Sequence, residues 1–351
     1  MSWFKDKRNT SCIRNFCSSV LKTGEIPKHV AIIMDGNRRF AKKVNCERSK
    51  GHEKGFEKLT EVLEWCFELG IPEVTVYAFS IENFKRSKEE VDGLMCLAKQ
   101  KFERLLEERE MMDKHGVRVR VVGDLTMLPQ DLQKSIARAV SFSQHNTKAT
   151  LNVCLAYTSR HEIVEAVKQL AEGVQQGLLK PSDVSESLLE KCLYTHGSPH
   201  PDMLIRTSGE VRLSDFLLWQ CSYSCLSFQK VLWPEFSVWN FYSSILSYQW
   251  NYQSFKQARN EVVEKQIQTE LESDLQCVFD SMFISNGANN HQNHRTLMGN
   301  EWKYEDLIRK PGLFQQVQTY QDERQQRIAR FLDTLEHQRT VYLERMCDVL
   351  I

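Results

Sequence analysis

The sequence lacks the patterns that would place it in several common protein classes. Its formal net charge is zero, with 46 basic and 46 acidic residues, which argues against a protein dominated by nucleic-acid binding. No apolar run approaches the length that crosses a bilayer, and no segment has the apolar core of a signal peptide. The 11 cysteines include no Cys-x-x-Cys pair. We therefore expect reduced thiols in the cytosol and neither a disulfide framework nor a zinc site.

Sequence motifs of several phosphate-binding enzymes are also absent. There is no Walker loop and no Gly-x-Gly-x-x-Gly fingerprint, which disfavours nucleotide hydrolysis and dinucleotide binding. There is no Asp-Asp pair, so the Asp-Asp-x-x-Asp cluster of trans-type prenyl synthases is missing as well. The apolar and charged fractions are ordinary, and 351 residues suffice for one large domain with extensions or for two domains.

One segment near the N-terminus joins an apolar strand to a charged turn. Residues 30–34 form an unbroken apolar run, which is typical of a strand buried in a parallel sheet. The Asp-Gly-Asn turn at residues 35–37 follows, and then Arg38 and Arg39 begin a basic segment with helical spacing. Arginines at a helix N-terminus favour phosphate, and Asp35 beside a phosphate favours a divalent cation such as Mg²⁺. The alternative is an N-capping aspartate followed by two solvated arginines.

Further strands and helices alternate along the chain. We predict strands at residues 74–80, 117–122, 151–157 and around 203–206, and helices at residues 54–69, 88–114, 129–145, 159–177, 181–194 and 236–252. Strands that alternate with helices at this spacing indicate an α/β fold, with a central mostly parallel sheet flanked by helices.

Cation-rich loops follow three of these strands. Their polar side chains are Asp35, Asn37, Arg38 and Arg39 after the first strand, Asn83 and Arg86 after the second, and Arg206, Arg212 and Ser214 after the last. Because the carboxyl ends of parallel strands meet at one edge of the sheet, these groups can converge there. Five arginines with one carboxylate suit two polyanions better than one. The sequence therefore predicts a diphosphate site of unspecified chemistry beside an apolar groove.

Three other segments extend this core or line it. The helix at 88–114 carries an apolar stripe about 40 Å long at 1.5 Å per residue, which suits packing on the core or the wall of an apolar channel. Residues 1–26 predict a basic amphipathic helix, which lies at a membrane surface or packs on its own domain. Residues 253–351 predict a charged helical extension with a flexible link near 285–295.

Residues 27–252 resemble the cis-prenyltransferase family, to which undecaprenyl diphosphate synthase belongs. The resemblance rests on three long motifs in the family's order, which are HVAIIMDGN at residues 29–37, YAFSIENF at 77–84, and IRTSGEVRLS at 205–214 with FLLWQ at 216–220. It implies the cis-prenyltransferase fold for residues 27–252, which are the catalytic domain in this interpretation.

The resemblance implies that isopentenyl diphosphate units are added to farnesyl diphosphate, with Mg²⁺ held by Asp35. The implied allylic diphosphate site consists of Asp35, Gly36, Arg39, His52 and Arg86. The implied isopentenyl diphosphate site consists of Arg38, Arg86, Arg206, Arg212 and Ser214. The implied catalytic residues are Asp35, Asn37, Ser80 and Asn83. From the residue pattern alone, His52 is equally well an ordinary loop histidine.

Two departures from the family pattern bear on partners. Bacterial members carry a glutamate of the Mg²⁺ site where this chain has Cys225, and single-subunit members end in Arg-x-Gly, which we do not find here. The Arg38-Arg39 pair, residues 85–88 and the charged tail are most similar to the eukaryotic branch, which makes dehydrodolichyl diphosphate for dolichol synthesis and protein glycosylation.

In the eukaryotic branch a Nogo-B-receptor-like subunit supplies the Arg-x-Gly element in trans. The resemblance therefore implies a heteromer on the cytosolic face of the endoplasmic reticulum membrane, attached peripherally. The alternative is a non-catalytic prenyltransferase-like subunit that stabilises or localises a partner.

Overall fold

Six parallel strands form one sheet in the part of the chain that the computed structural model describes, residues 12–285 and 311–348. The strands are β1 (His29–Ile33), β2 (Glu73–Ser80), β3 (Val117–Val122), β4 (Ala149–Tyr157), β5 (Met203–Arg206) and β6 (Cys225–Phe228). Their order across the sheet is β3-β4-β2-β1-β5-β6. Every residue of β1 is buried, as an apolar strand at the middle of a parallel sheet requires.

Helices connect the strands and extend the chain beyond the sheet. They are α1 (Cys12–Leu21), α2 (Asn37–Lys43), α3 (Arg48–Leu69), α4 (Lys88–Glu107), α5 (Arg109–His115), α6 (Gln130–Ser143), α7 (Ser159–Gln175), α8 (Glu186–Cys192), α9 (Val238–Ser285) and α10 (Pro311–Asp348). Short 3₁₀ turns lie at Ile81–Lys85, Leu125–Met127, Pro181–Asp183 and Trp233–Glu235. The predicted α/β architecture is confirmed.

Some element boundaries differ from the prediction. The single helix predicted over 88–114 is two helices, because α4 ends at Glu107 and α5 begins at Arg109. Strand β6 was not predicted, since its sequence Cys-Leu-Ser-Phe is short and only partly apolar. The helix predicted over 181–194 is shorter, and its first residues form a 3₁₀ turn.

The chain divides into two compact units. The first contains the whole sheet and comprises the residues up to Glu162, Ser198–Lys256 and the residues from Val341 onwards. The second comprises Ile163–Gly197 and Gln257–Thr340. Within the second unit, Arg324 pairs with the buried carboxylate of Asp274 at 2.7 Å. The predicted division into 1–26, 27–252 and 253–351 stays a prediction, and the link near 285–295 lies almost wholly outside the described residues.

Helix α1 has two different sides. Leu21 is buried and Arg14 lies 2.5 Å from Glu68 of α3, so this side of α1 packs on the rest of the first unit. Ile13, Phe16 and Val20 form an exposed apolar side. Residues 1–11 of the predicted N-terminal helix lie outside the described part of the chain.

Candidate active site

Asp35 lies directly after β1, in a turn that neighbouring backbone and side-chain groups hold in place. The Thr207 hydroxyl accepts a hydrogen bond from the Asp35 backbone N–H at 3.1 Å and donates to the Asp35 carbonyl at 2.7 Å. The backbone N–H of Trp233 donates to the same carbonyl at 3.0 Å. These hydrogen bonds from Thr207 and Trp233 fix the backbone of the turn. They do not involve the Asp35 carboxylate, and the Asp35 side chain is 30% exposed at the edge of the sheet.

The Asp35 carboxylate faces two arginines. Nη2 of Arg206 donates to Oδ2 at 2.9 Å, and Nη2 of Arg39 lies 3.5 Å from Oδ1. Burial alone would raise the pKa of Asp35, but Arg206, the Ser208 hydroxyl and Arg39 outweigh it and lower that pKa. Asp35 is therefore a carboxylate at neutral pH.

Arg206 is the most enclosed cation of the predicted site. It ends β5, opposite Ile33 of β1, and its side chain is only 3% exposed. Nη1 donates to the Ser214 hydroxyl at 2.8 Å and also to the Arg212 carbonyl. Its Nε has no hydrogen-bond partner among the described residues. A buried guanidinium with a spare donor is suited to an anion.

Helix α2 begins directly after Gly36 and presents Arg39 to the same edge. Gly36 has φ +115°, and a Cβ there would lie 3.1 Å from Leu232, so both the conformation and the space favour glycine. Arg39 donates to the Ser208 carbonyl at 3.1 Å and to the Ser208 hydroxyl. Its Nη1 lies 3.6 Å from Glu210. The Arg39 guanidinium is thus held beside Asp35.

A second cluster gathers arginines around Glu90 of α4. Arg48 and Arg86 donate to its carboxylate at 3.0 Å each, and Arg38 lies 3.5 Å away. The Glu90 side chain is 8% exposed. Burial would raise the pKa of Glu90, but Arg86, Arg38 and Arg48 lower it on balance. The structure therefore groups Arg38 with Arg86, and not with Arg206.

His52 of α3 lies beside the second cluster. Burial and the positive charges of Arg86 and Arg38 lower the pKa of His52 to about 4, although Glu90 acts in the opposite direction. Its Nε2 is buried without a hydrogen-bond partner among the described residues. His52 is therefore a neutral, partly buried residue of α3, not a loop histidine.

Three predicted polar residues have more local roles. Asn83 accepts from the Ser80 backbone N–H at 3.1 Å, and the Ser80 hydroxyl accepts from the Glu82 N–H at 3.2 Å, so this pair caps the 3₁₀ turn after β2. The Asn37 side chain fits closely against α3, since a Cβ at Gly55 would lie 2.4 Å from Asn37 Oδ1. That oxygen is buried and has no partner within the described residues.

Two further residues lie away from the carboxylate of Asp35. The exposed Arg212 guanidinium pairs with Glu210, and only the Arg212 carbonyl contacts Arg206. Cys225 is the first residue of β6 and pairs with Met203 at the start of β5, so it lies at the opposite end of the strand from Arg206. Burial raises the pKa of the Cys225 thiol, which disfavours a thiolate ligand.

An apolar cavity opens beside the polar residues Asn37 and His52. It has a volume of about 130 Å³ between α3 and α4, and its lining includes Asn37 and His52 as well as Phe56, Leu59, Ala98 and Phe102. A second cavity of about 140 Å³ lies further along α3, towards Leu63, Leu105 and His115. A polar groove of about 670 Å³, lined by Arg48, His52 and Glu90, adjoins the first cavity. The arrangement suits an amphiphile with an anionic head and an apolar tail.

Sequence reasoning missed Glu90, Arg48 and the Thr207–Ser208 pair. Glu90 fitted the capping-box pattern Ser-x-x-Glu, but the Ser87 side chain makes no capping bond and Glu90 binds arginines instead. Arg48 lies in a stretch with no strand-end signal. Thr207 and Ser208 directly follow Arg206 and share its turn, so that position was the available signal.

Comparisons with known proteins agree with this geometry. The family described as "Putative undecaprenyl diphosphate synthase" matches residues 33–256. The chain is 60% identical over 282 residues to dehydrodolichyl diphosphate synthase complex subunit DHDDS of Homo sapiens, a match that covers 80% of this chain and 84% of that one. It is 44% identical over 250 residues to a dehydrodolichyl diphosphate synthase complex subunit of Schizosaccharomyces pombe, covering 71% and 93% of the two chains.

A solved structure is similar as well. Lavandulyl diphosphate synthase from Lavandula x intermedia, in complex with dimethylallyl diphosphate, superposes with a TM-score of 0.60 at 35% identity, covering 64% of this chain and 95% of that one. The family match covers well over half of the chain, and the relatives are long and highly identical. The chain therefore belongs to the cis-prenyltransferase family, the family of undecaprenyl diphosphate synthase.

Proposed function

We propose that this chain is the catalytic subunit of a dehydrodolichyl diphosphate synthase, which adds isopentenyl diphosphate units to farnesyl diphosphate with cis geometry. One observation carries the proposal. The ionised Asp35 faces Arg206 and Arg39 at a sheet edge where an apolar cavity opens between α3 and α4. The relatives named as dehydrodolichyl diphosphate synthase complex subunits support the same product class.

We divide the site between two diphosphates, with Arg39 of the Asp35 cluster on the allylic side, as the resemblance to the family implies. The allylic diphosphate would bind at Gly36, Arg39, His52 and Arg86, with its apolar chain in the adjoining cavity. Arg48 joins this set because it shares Glu90 with Arg86. The isopentenyl diphosphate would bind at Arg206, Ser214 and the exposed Arg212 side chain. Arg38 lies beside Glu90, as Arg48 and Arg86 do, so we assign it to the diphosphate of the allylic substrate.

The residues present are compatible with Mg²⁺ only if the substrate provides most of its ligands. Among the described residues, no group of three or more His, Cys, Asp or Glu side chains is placed to hold a metal ion. Mg²⁺ commonly binds through one or two carboxylates together with substrate phosphates and water. Asp35 is ionised and partly exposed, so it fits the single carboxylate of such a site. When bound, Mg²⁺ would neutralise charge on the leaving diphosphate.

The chain's own residues would then organise the condensation. Arg39, Arg48 and Arg86 hold the leaving diphosphate. Their positive charges stabilise the negative charge that the diphosphate gains as the allylic C–O bond breaks. Arg206 and Ser214 hold the isopentenyl diphosphate so that its double bond reaches the allylic carbon. A new C–C bond forms, a proton leaves the isopentenyl unit, and a cis double bond remains. The lengthened chain moves into the apolar cavity.

A second subunit completes the proposed enzyme. Arg-x-Gly occurs nowhere in the sequence, and the relatives are named as subunits of a complex. We assign the missing element to a Nogo-B-receptor-like partner. Exposed apolar side chains on the first part of α9, which are Trp239, Leu246 and Trp250, support a protein contact there.

Peripheral membrane contact is the corresponding proposal for location. Among the described residues, none of the helices is both long and apolar enough to cross a bilayer. The exposed apolar side of α1, with Ile13, Phe16 and Val20, supports contact with the cytosolic face of the endoplasmic reticulum. Deleting residues 1–24 should weaken binding to vesicles, and unchanged binding would assign α1 to packing alone.

Incorporation of labelled isopentenyl diphosphate tests the function. The chain is incubated with farnesyl diphosphate and Mg²⁺, alone and with the partner subunit, and the lipid products are separated by length. We expect long cis products with the partner and little product without it. If neither mixture makes a long product, the chain is a non-catalytic subunit.

A further inference from the structure

The loop after Arg212 has a left-handed backbone at three residues that are not glycine. Ser214, Asp215 and Leu217 have φ values of 51°, 58° and 46°. Left-handed backbone is unfavourable for residues other than glycine and persists only where surrounding contacts fix it. We call residues 214–218 the Ser214 loop. Three such residues within four positions mean that other parts of the chain hold it.

The N-terminus of α7 provides most of that constraint. The Ser159 N–H donates to the Asp215 carbonyl at 2.8 Å, and the Arg160 N–H donates to Asp215 Oδ1 at 3.1 Å. In return, the Ser159 hydroxyl accepts from the Leu218 N–H at 3.1 Å. The first N–H groups of a helix have no partner within it, so Asp215 satisfies donors that would otherwise be free. The Asp215 side chain is 13% exposed.

An aromatic contact fixes the middle of the loop. Phe216 is fully buried and stacks on Tyr77 of β2, with ring centroids 4.4 Å apart and planes 14° apart. The Tyr77 hydroxyl donates to the Ser214 carbonyl at 3.4 Å. The Ser214 loop is therefore anchored to β2 as well as to α7.

The loop in turn sets the position of Arg206. The Ser214 hydroxyl accepts from Arg206 Nη1 at 2.8 Å, and Nη2 of the same guanidinium donates to Asp35. Hydrogen bonds thus tie Asp215 to α7, and the adjacent residue Ser214 accepts from Arg206, so the loop backbone connects α7 to this guanidinium. A shift of the loop removes one of the bonds that orient this buried guanidinium.

We propose that Asp215 is a positioning residue for the isopentenyl diphosphate site, which holds the left-handed Ser214 loop on α7 so that Ser214 and Arg206 face the diphosphate together. This rests on the proposed function, in which Arg206 and Ser214 bind that substrate. Asp215 itself contacts α7 and not the substrate, so its removal affects one substrate and leaves the allylic diphosphate site intact.

Three substitutions at Asp215 separate the possible causes. Asp215→Ala removes the carboxylate acceptor and keeps the unfavourable left-handed backbone. Asp215→Asn keeps an oxygen that can accept from the Arg160 N–H. Asp215→Gly removes the side chain but favours the left-handed backbone. Arg160→Ala is the matched control, because it removes only the exposed ion pair with Asp215 Oδ2.

The variants are compared with the native chain in the complete complex by steady-state kinetics. We expect Asp215→Ala to raise the KM for isopentenyl diphosphate about tenfold or more while the KM for farnesyl diphosphate stays within about twofold. Asp215→Asn and Arg160→Ala should stay within about threefold of the native value for both substrates, whereas Asp215→Gly, which also lacks the carboxylate, should show part of the rise in the KM for isopentenyl diphosphate. An equal rise in both KM values, or no change in Asp215→Ala, overturns the proposal.

Hydrogen exchange separates this proposal from the proposed function. In Asp215→Ala, the amides of Ser159, Arg160 and Leu218 should lose protection, whereas Asp215→Asn should retain it. An inactive native complex would contradict the proposed function alone, since the exchange measurement does not depend on turnover. Unchanged protection in Asp215→Ala would overturn the anchoring role of Asp215 whatever the activity.

Discussion

Two carboxylates of the site differ at the scale of single residues in what surrounds them. Asp35 is 30% exposed and faces two arginines, while Glu90 is 8% exposed and has three within 3.5 Å. The greater access of Asp35 leaves room for a substrate or a metal ion. Glu90 is more enclosed and its carboxylate is shared by three arginines, so its role is to fix the arginines around it.

Asp35→Asn should lower turnover at least about a hundredfold, because the amide lacks the negative charge that the proposed Mg²⁺ site needs. The amide oxygen can still accept from Arg206, so the fold should persist. Labelled isopentenyl diphosphate incorporation measures the loss, and the thermal unfolding midpoint serves as the control. Near-native turnover would remove Asp35 from the mechanism.

The lowered pKa of His52 predicts a pH dependence of stability. His52 titrates near 4 in the folded chain and near 6.5 when unfolded, so between these values only the unfolded state gains a proton. Its contribution to stability is present above about pH 6.5 and is lost as the pH falls towards 4. Between pH 7 and pH 5, the native chain should lose about 2 kcal/mol of unfolding free energy that His52→Gln does not lose. Parallel curves from denaturant titrations would contradict this.

The sequence predicted which charged residues lie at the strand ends, but not which of them pair with one another. Asp35, Arg39 and Arg206 could be placed together because each follows a buried parallel strand. The sequence paired Arg38 with Arg206, whereas the fold places Arg38 on Glu90. That choice depends on where α4 lies, and local sequence does not contain this information.

At the scale of secondary-structure elements, α2 and α3 approach each other closely. A Cβ at Gly51 would lie 2.6 Å from the Asn37 carbonyl, and one at Gly55 would lie 2.4 Å from the Asn37 side chain. The two glycines therefore allow α3 to pack directly on the turn that holds the site. Trp233 closes the same contact by donating its indole N–H to the Gly55 carbonyl at 2.7 Å.

Gly55→Ala should lower turnover about ten- to a hundredfold, because the added methyl group displaces the Asn37 side chain at the site. Gly312→Ala in α10 is the matched control, since a Cβ there meets no atom of the described residues within 4 Å and Gly312 does not line the cavities beside the site. It should keep native turnover and raise the unfolding free energy by up to about 1 kcal/mol. Equal activity in both variants would show that the position of Asn37 is not critical.

Elements with strong local patterns were predicted, and weaker ones were not. The first five strands are apolar and rich in β-branched residues, so their position was clear from sequence. Strand β6 forms only because β5 provides an edge for pairing. The break between α4 and α5 falls in the charged run at residues 107–110, and such a run is equally compatible with an unbroken helix.

At the scale of the whole molecule, the described part of the first compact unit leaves large apolar side chains exposed on its surface. Trp250 of α9 is 90% exposed, and Leu226 of the edge strand β6 is also exposed. A monomer rarely leaves a tryptophan this accessible, and such residues are enriched in protein interfaces. This surface fits the proposal of a second subunit.

Trp250→Glu should weaken binding of the partner subunit at least about tenfold, because a buried aromatic contact would become a charge. Gln144→Glu adds the same charge at an exposed position outside α9 and should leave binding unchanged. Sedimentation of the mixed subunits measures the affinity. If the two variants bind equally well, the partner does not contact Trp250.

The all-parallel sheet also determines when the site can form during synthesis. Asp35 and Arg206 are 171 residues apart in the chain and meet only because β1 pairs with β5. At 5–20 residues per second, a ribosome needs about ten to thirty seconds to make the intervening segment. Throughout that interval the nascent chain has an aspartate turn without its guanidinium partner. A truncated translation product that stops before β5 would therefore retain the HVAIIMDGN motif but could not assemble a working site.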